Sequence, residues 1–245
     1  MHANCQISPR PAGSERSLRI GGLLPMTTLD YPDHLACVLF CQGCAWNCRY
    51  CHNPELIRRG AKPAMSWAQA LAFLEHRHGL LQAVVFSGGE ATLQPALPEA
   101  MREVRARGFK VGLHSAGIKP GALRRVLPLC DWVGFDVKAL EEEVQLITGV
   151  SGSGRANWDS LDLLLASGVA YECRTTVHWR LFDCLRVRRL AERLAGLGVE
   201  RFAVQLARPG RMLDMSLGVA PTPDEAGELW TYLGQLFKRF ELREA

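Results

Sequence analysis

Along most of the chain, short continuous apolar runs alternate with stretches of helical periodicity. The first run, Leu35 to Phe40, lacks the polar alternation of a half-exposed strand, so it predicts a strand covered on both faces. A loop rich in cysteine and glycine follows, and Asn53-Pro54 marks a turn. Ser66 is placed to cap a helix that runs to about His76. Further strands are predicted at Ala83–Phe86, Phe109–Leu113, Trp132–Val137, Val169–Val177 and Arg201–Leu206. Helices are predicted between them over Pro95–Arg107, Gly121–Leu127, Trp158–Ala166 and from Asp183 to Leu197. Gly108, Gly168 and Gly198 supply stops, and a last helix is predicted from Thr222 to about Phe240.

Strand followed by helix, repeated six times, predicts parallel strands joined by right-handed crossovers. Six units are fewer than the eight of a closed barrel, so the expected fold is α/β, an open partial (β/α)6 barrel of the TIM type. In such folds chemistry collects at the C-terminal ends of the strands. The notable motifs stand there: the cysteine loop after the first predicted strand, Gly88-Gly89-Glu90 after the second and His114-Ser115 after the third. Asp136 and Lys138 end the fourth predicted strand, and Arg174 lies late in the fifth. Residues 1–18, polar and containing Pro9, Pro11 and Gly13, read as a flexible leader ahead of a single domain over 19–245.

Composition narrows the class. Apolar residues make up 48% of 245, enough for a sizeable core, and charged residues at 22% are ordinary for a globular chain. A net charge of +4 without a basic stripe argues against a nucleic-acid partner. No apolar stretch is long enough to span a membrane and no apolar export signal is visible, so a cytoplasmic location is expected. Nine cysteines would suggest disulfides in a small secreted protein. Here five crowd between Cys37 and Cys51, which points to a metal site in a reducing compartment.

The loop reads Cys41-Gln42-Gly43-Cys44-Ala45-Trp46-Asn47-Cys48-Arg49-Tyr50-Cys51. Thiolates are the usual ligands of iron–sulfur clusters, and Cys44, Cys48 and Cys51 can wrap one [4Fe–4S] cubane. Three cysteines leave one iron without a protein ligand, open to a small chelating molecule. Two alternatives stay open at this point. A zinc site could use two Cys-x2-Cys pairs, although these are separated by a shorter loop than zinc ribbons use. Cys41 could also close the cluster as a fourth ligand and make the chain an electron carrier.

Cys44-x3-Cys48-x2-Cys51, with Tyr50 before the third cysteine, resembles the radical S-adenosylmethionine signature. That resemblance implies a [4Fe–4S] cluster on these three cysteines and S-adenosylmethionine on the fourth iron. It implies an aromatic, Tyr50, near the adenine, and Gly88, Gly89 and Glu90 at the methionine amino group. It also implies cofactor-facing roles for Ser115, Asp136, Lys138 and Arg174. His114 departs from the aspartate usual in close relatives. More of the chain is similar to one branch, the anaerobic ribonucleoside-triphosphate reductase activating proteins that are like pyruvate formate-lyase activating enzyme. The shared segments include Thr28 to Pro32, Gln42 to Cys44, Tyr50 to Leu56, Thr92 to Pro95 and Thr148 to Val150. Asp33, Cys41, Ala45, His114 and His178-Trp179 depart from it. The branch implies reductive cleavage of S-adenosylmethionine to a 5′-deoxyadenosyl radical, an outside reductant such as flavodoxin, and a glycyl-radical enzyme as partner. A radical enzyme acting on a small molecule or nucleoside is the alternative within the same chemistry.

Overall fold

The computed structural model describes residues 17–244, so nearly all of the expected leader, and Cys5 within it, lies outside the described residues. A strand that the apolar runs do not announce, β1 (Ile20–Thr27), pairs antiparallel with β2 (Ala36–Cys41). Gly21, Gly22 and Pro25 and two irregularities of register disguise β1, and an edge position tolerates all of them. Then follow β3 (Ala83–Gly88), β4 (Lys110–Ser115), β5 (Trp132–Asp136), β6 (Ala170–Val177) and β7 (Arg201–Leu206). Together with β2 these are the six predicted strands, all parallel and in sequential order. An eighth strand, β8 (Arg239–Arg243), extends the sheet beside β7. No pairing joins β8 to β1 among the described residues, so the barrel stays open.

The crossovers are helical: α1 (Trp67–Glu75), α2 (Leu97–Ala106), α3 (Pro120–Val126), α4 (Val144–Thr148), α5 (Ser153–Leu165), α6 (Cys184–Gly196) and α7 (Ala226–Leu236). Ser66 and Gln69 form the capping box that starts α1, and Asp183 caps α6 by accepting from the Arg186 amide at 2.8 Å. Three expectations need correction. α4 was not anticipated, because five residues are too few to show a helical period. α5 begins at Ser153, ahead of Trp158, behind the weak helix formers Ser151 to Gly154. The last helix begins after Glu225 and stops at Leu236, because Arg239 to Arg243 alternates charged and apolar residues and pairs as β8.

Two apolar layers result. The larger lies between sheet and helices and includes Leu39, Phe86, Leu113, Phe135 and Met101, all without exposure. At about 1.5–3 kcal/mol for each such side chain, this layer is the main opponent of chain entropy. The smaller, Tyr31, Ala36, Val38, Ala83, Val85 and Trp132, fills the barrel interior at the N-terminal ends of the strands. It forms a floor, and above it Ser87, His114, Asp136, Arg174, Thr176 and Gln205 line the cavity.

Candidate active site above the barrel floor

The cysteine loop leaves β2 and is held by backbone bonds before any ligand is considered. The amides of Gly43 and Cys44 donate to the carbonyls of Leu56 and Ile57 at 2.7 and 3.1 Å. The Gln42 amide group donates to the carbonyls of Glu55 and Arg58, and Gln94 donates to those of Arg19 and Gln42. These two glutamines, parts of the shared motifs, therefore brace the loop. Cys44, Cys48 and Cys51 are half-buried free thiols lining one cavity of about 270 Å³. Burial pushes the Cys44 thiol up to about 12, and burial likewise raises Cys48 and Cys51. A bound metal cation would replace the solvation that burial takes from the thiolates. Cys41 is fully buried, packs in the large core and does not line the cavity. That placement counts against a fourth cysteine ligand. Cys37 is likewise a core residue.

Gly88 and Gly89 bring β3 against this loop. Gly88 has φ 107°, and a β-carbon there would lie 2.4 Å from the Cys41 nitrogen. A β-carbon on Gly89 would lie 2.3 Å from the Gly43 oxygen. The close approach lets Gly89 donate to the Cys41 carbonyl and Glu90 to that of Gly43, at 2.9 and 2.8 Å. The Glu90 side chain is almost fully buried and accepts from the Thr92 hydroxyl at 2.6 Å, the Ser115 hydroxyl at 2.8 Å and the Ala116 amide at 3.0 Å. Burial raises its pKa, and these donors oppose the rise. Glu90 thus joins the ends of β3 and β4. The Ser115 oxygen also accepts from the Gly117 amide.

On the opposite wall, Lys138 donates to Asp136 at 3.1 Å, and the Arg174 Nε lies 3.3 Å from the other Asp136 oxygen. Burial alone would raise the Asp136 carboxyl, but Lys138 and Arg174 hold it below the usual carboxylate range. Burial would lower Lys138, but Asp136 and Tyr50 keep it firmly charged. Its ammonium lies 5.7 Å from the Tyr50 ring centroid. Tyr50 is buried, and its hydroxyl has no hydrogen-bond partner. His114, left out of the expected site set, also lines the cavity. Its Nε2 donates to the Asp30 carbonyl at 2.9 Å, and its Nδ1 lies 3.2 Å from the Ser87 hydroxyl. The structure therefore brings every expected site residue to one cavity: Cys44, Cys48, Cys51, Tyr50, Gly88, Gly89, Glu90, Ser115, Asp136, Lys138 and Arg174.

The expected set missed Asp30, Ser87, His114, Thr176 and Gln205, which also line the cavity. Period-two alternation from Arg174 would have found Thr176, whereas Asp30 arrives on the β1–β2 turn and had no such signal. Asp30, Arg174, Thr176 and Gln205 also line a cleft of about 560 Å³ that opens sideways between residues 28–33 and β6 to β8.

The donor set fits a cluster and a polar chelating ligand. Three thiols border the cavity, and a buried donor of a residue lining it, the Tyr50 hydroxyl, lacks a hydrogen-bond partner. Among the described residues no three His, Cys, Asp or Glu side chains converge on a point suited to a single metal ion.

The sequence profile of the Radical SAM superfamily matches residues 38–179. The chain is 27% identical over 241 residues to a candidate glycyl-radical enzyme activating enzyme of Methanocaldococcus jannaschii, covering 90% of this chain and 92% of that one. It is 27% identical over 149 residues to the pyruvate formate-lyase-activating enzyme of Clostridium pasteurianum, covering 58% of this chain and 60% of the relative. In fold it resembles Streptococcus suis SuiB bound to S-adenosylmethionine, with a TM-score of 0.62 at 14% identity. That likeness covers 83% of this chain and about half, 48%, of SuiB.

Proposed function

The chain belongs to the Radical SAM superfamily, and from that premise we propose that it installs a glycyl radical on a partner enzyme, an anaerobic ribonucleotide reductase being the partner its motifs favour. The family works with a [4Fe–4S] cluster and S-adenosylmethionine, which when bound supply the one-electron chemistry that starts hydrogen abstraction. Cys44, Cys48 and Cys51 would hold the cluster through thiolates. Gly88 and Gly89 offer backbone without side chains to obstruct the cofactor. Glu90 accepts from the Ser115 hydroxyl and the Ala116 amide and so holds the end of β4 at the cavity wall. Asp136, Lys138 and Arg174 form a wall with one carboxylate and two cations, able to fix an amino acid's amine and carboxylate. Tyr50 and Trp46, both buried, keep bulk water from the thiol side.

The observation that carries the reading is the convergence of the three thiols and this polar wall on one cavity with a sideways opening. Such an opening suits a segment of a folded partner, with the electron delivered by a separate reductant such as flavodoxin. The test uses protein reconstituted anaerobically with iron and sulfide, reduced with dithionite and given S-adenosylmethionine. Release of 5′-deoxyadenosine is expected, and a glycyl doublet should appear in the EPR spectrum when the partner is added. Alanine at Cys44, Cys48 or Cys51 should abolish both signals, while Cys41→Ala should keep them. Nucleoside release without a glycyl doublet on any candidate partner would remove the activase reading and leave a small-molecule substrate.

A further inference from the structure

Residues 207–218, between β7 and α7, cross over the cysteine loop instead of turning directly into the helix. Met212 and Leu217, both buried in the large core, anchor this segment. Between those anchors two consecutive amides reach the loop. Leu213 donates to the Cys51 carbonyl at 3.0 Å, and Asp214 donates to the Arg49 carbonyl at 2.9 Å. One Asp214 oxygen accepts from Arg49 Nε at 2.8 Å, and the other caps the next turn by accepting from the Ser216 amide and hydroxyl. The segment is tied down further along its length. The Arg208 amide donates to His52 Nε2 at 3.0 Å, and Arg211 pairs with Glu55 at 3.0 Å. His178, one of the departures noted in the sequence, donates from Nε2 to the Gly218 carbonyl at 3.0 Å.

The other side of the loop is held by a helix end. Gly149, at φ 68°, stops α4 in the left-handed conformation and leaves its last carbonyls without helical partners. Two of those carbonyls, on Ile147 and Thr148, accept from the amides of Arg49 and Asn47 at 3.0 and 3.1 Å. This gives the shared Thr148-Gly149-Val150 motif a physical purpose. Residues 47–51, which turn through the bond from the Cys51 amide to the Cys48 carbonyl, therefore lie between two supports, with the amides of Asn47 and Arg49 bonded to α4 and the carbonyls of Arg49 and Cys51 bonded to residues 214 and 213.

We propose that residues 207–218 are a clasp that works with the end of α4 to set the backbone of the cysteine loop, and that Asp214 is its positioning residue, latching Arg49 between the second and third thiolates. The two supports come from distant parts of the chain, so the spacing of the thiols is established by the fold and not by the loop alone. A loop ordered in advance loses little entropy when a cluster is inserted. It also resists the local opening through which iron would escape. The proposal rests on the cluster-loop assignment and is independent of the partner's identity.

The test compares wild type, Asp214→Asn and Ser216→Ala. Asp214→Asn keeps an acceptor for the turn but removes the charge that faces Arg49, whereas Ser216→Ala leaves the latch in place. Hydrogen exchange of peptides covering 44–53 and 207–218 is followed in cluster-free protein. Iron release to a ferrous chelator is followed anaerobically in reconstituted protein. A partly exposed ion pair is a modest interaction, so Asp214→Asn should speed both processes about two- to five-fold. Ser216→Ala should change neither. Unchanged rates in Asp214→Asn would overturn the proposal, as would equal acceleration in Ser216→Ala or equal acceleration in peptides from β4 and β5. The exchange measurement needs neither cluster nor activity, so its failure is distinguishable from failure of the proposed function.

Discussion

At His114 a titratable ring sits between Arg174, whose NH1 is 3.3 Å from Nε2, and the carbonyl of Asp30, with the Trp132 ring centroid 5.7 Å from its own in an edge-to-face arrangement. Burial and the Arg174 guanidinium hold the ring neutral and push its pKa down to about 3, against the opposite pull of Asp30 and Asp136. The unfolded chain takes up this proton below about pH 6.5, while the native fold refuses it until about pH 3. His114 therefore removes native stability as the pH falls through that window, at about 1.4 kcal/mol per pH unit. Between about pH 7 and about pH 5, wild type should lose about 2 kcal/mol more than His114→Gln, as measured by urea denaturation at each pH. In the sequence His114 stands out only as a departure from the aspartate usual in close relatives. Alternation along β4 shows that it points inward, but nothing local shows that Arg174, sixty residues away, will stand beside it. The departure at Asp33 is clearer. Its φ is 61°, a backbone that glycine adopts freely and that aspartate tolerates better than most residues.

At the scale of elements, the ends of β2 and β3 meet because two consecutive residues lack side chains. A methyl group on Gly89 would strike the Gly43 carbonyl, a backbone atom that cannot swing aside. Gly89→Ala should therefore separate β3 from the cysteine loop and cost about 1–3 kcal/mol, read as a lower denaturation midpoint. It should also lower the iron retained after reconstitution, as measured by chelator assay. Gly-Gly pairs are common in turns, so the motif alone could not distinguish a turn from a close approach. β8 shows the reverse problem. Its first two residues, Arg239 and Phe240, fall within the predicted last helix, because a short alternating segment after a true helix carries too little period to mark a boundary.

At the scale of the molecule, the open side of the barrel is bordered by β8, and one buried contact ties that strand to the interior. Arg243 donates two hydrogen bonds to Glu172 on β6, at 2.8 and 3.0 Å, across the intervening β7. Glu172 is almost wholly buried, so removing its partner strands a carboxylate away from water. Arg243→Ala should destabilise the fold by about 2 kcal/mol, less than for a fully buried pair because Arg243 keeps some solvent contact. Faster hydrogen exchange in β8 than in β3 would check that the loss is concentrated at the open edge.

The amino-acid sequence by itself determined the order and direction of the six central strands, the thiol trio and the strand ends that carry chemistry. Those follow from apolar runs, chain order and the right-handed crossover, all of which are properties of neighbouring residues. Tertiary structure alone decided that Cys41 faces the core, that Glu90 spends its oxygens bracing β4, and that Asp30 and His114 enter the cavity. It also decided that the cysteine loop is held by residues 147, 148, 213 and 214. Each of these depends on a partner far along the chain, and a local pattern carries no information about which distant group will fill the space opposite.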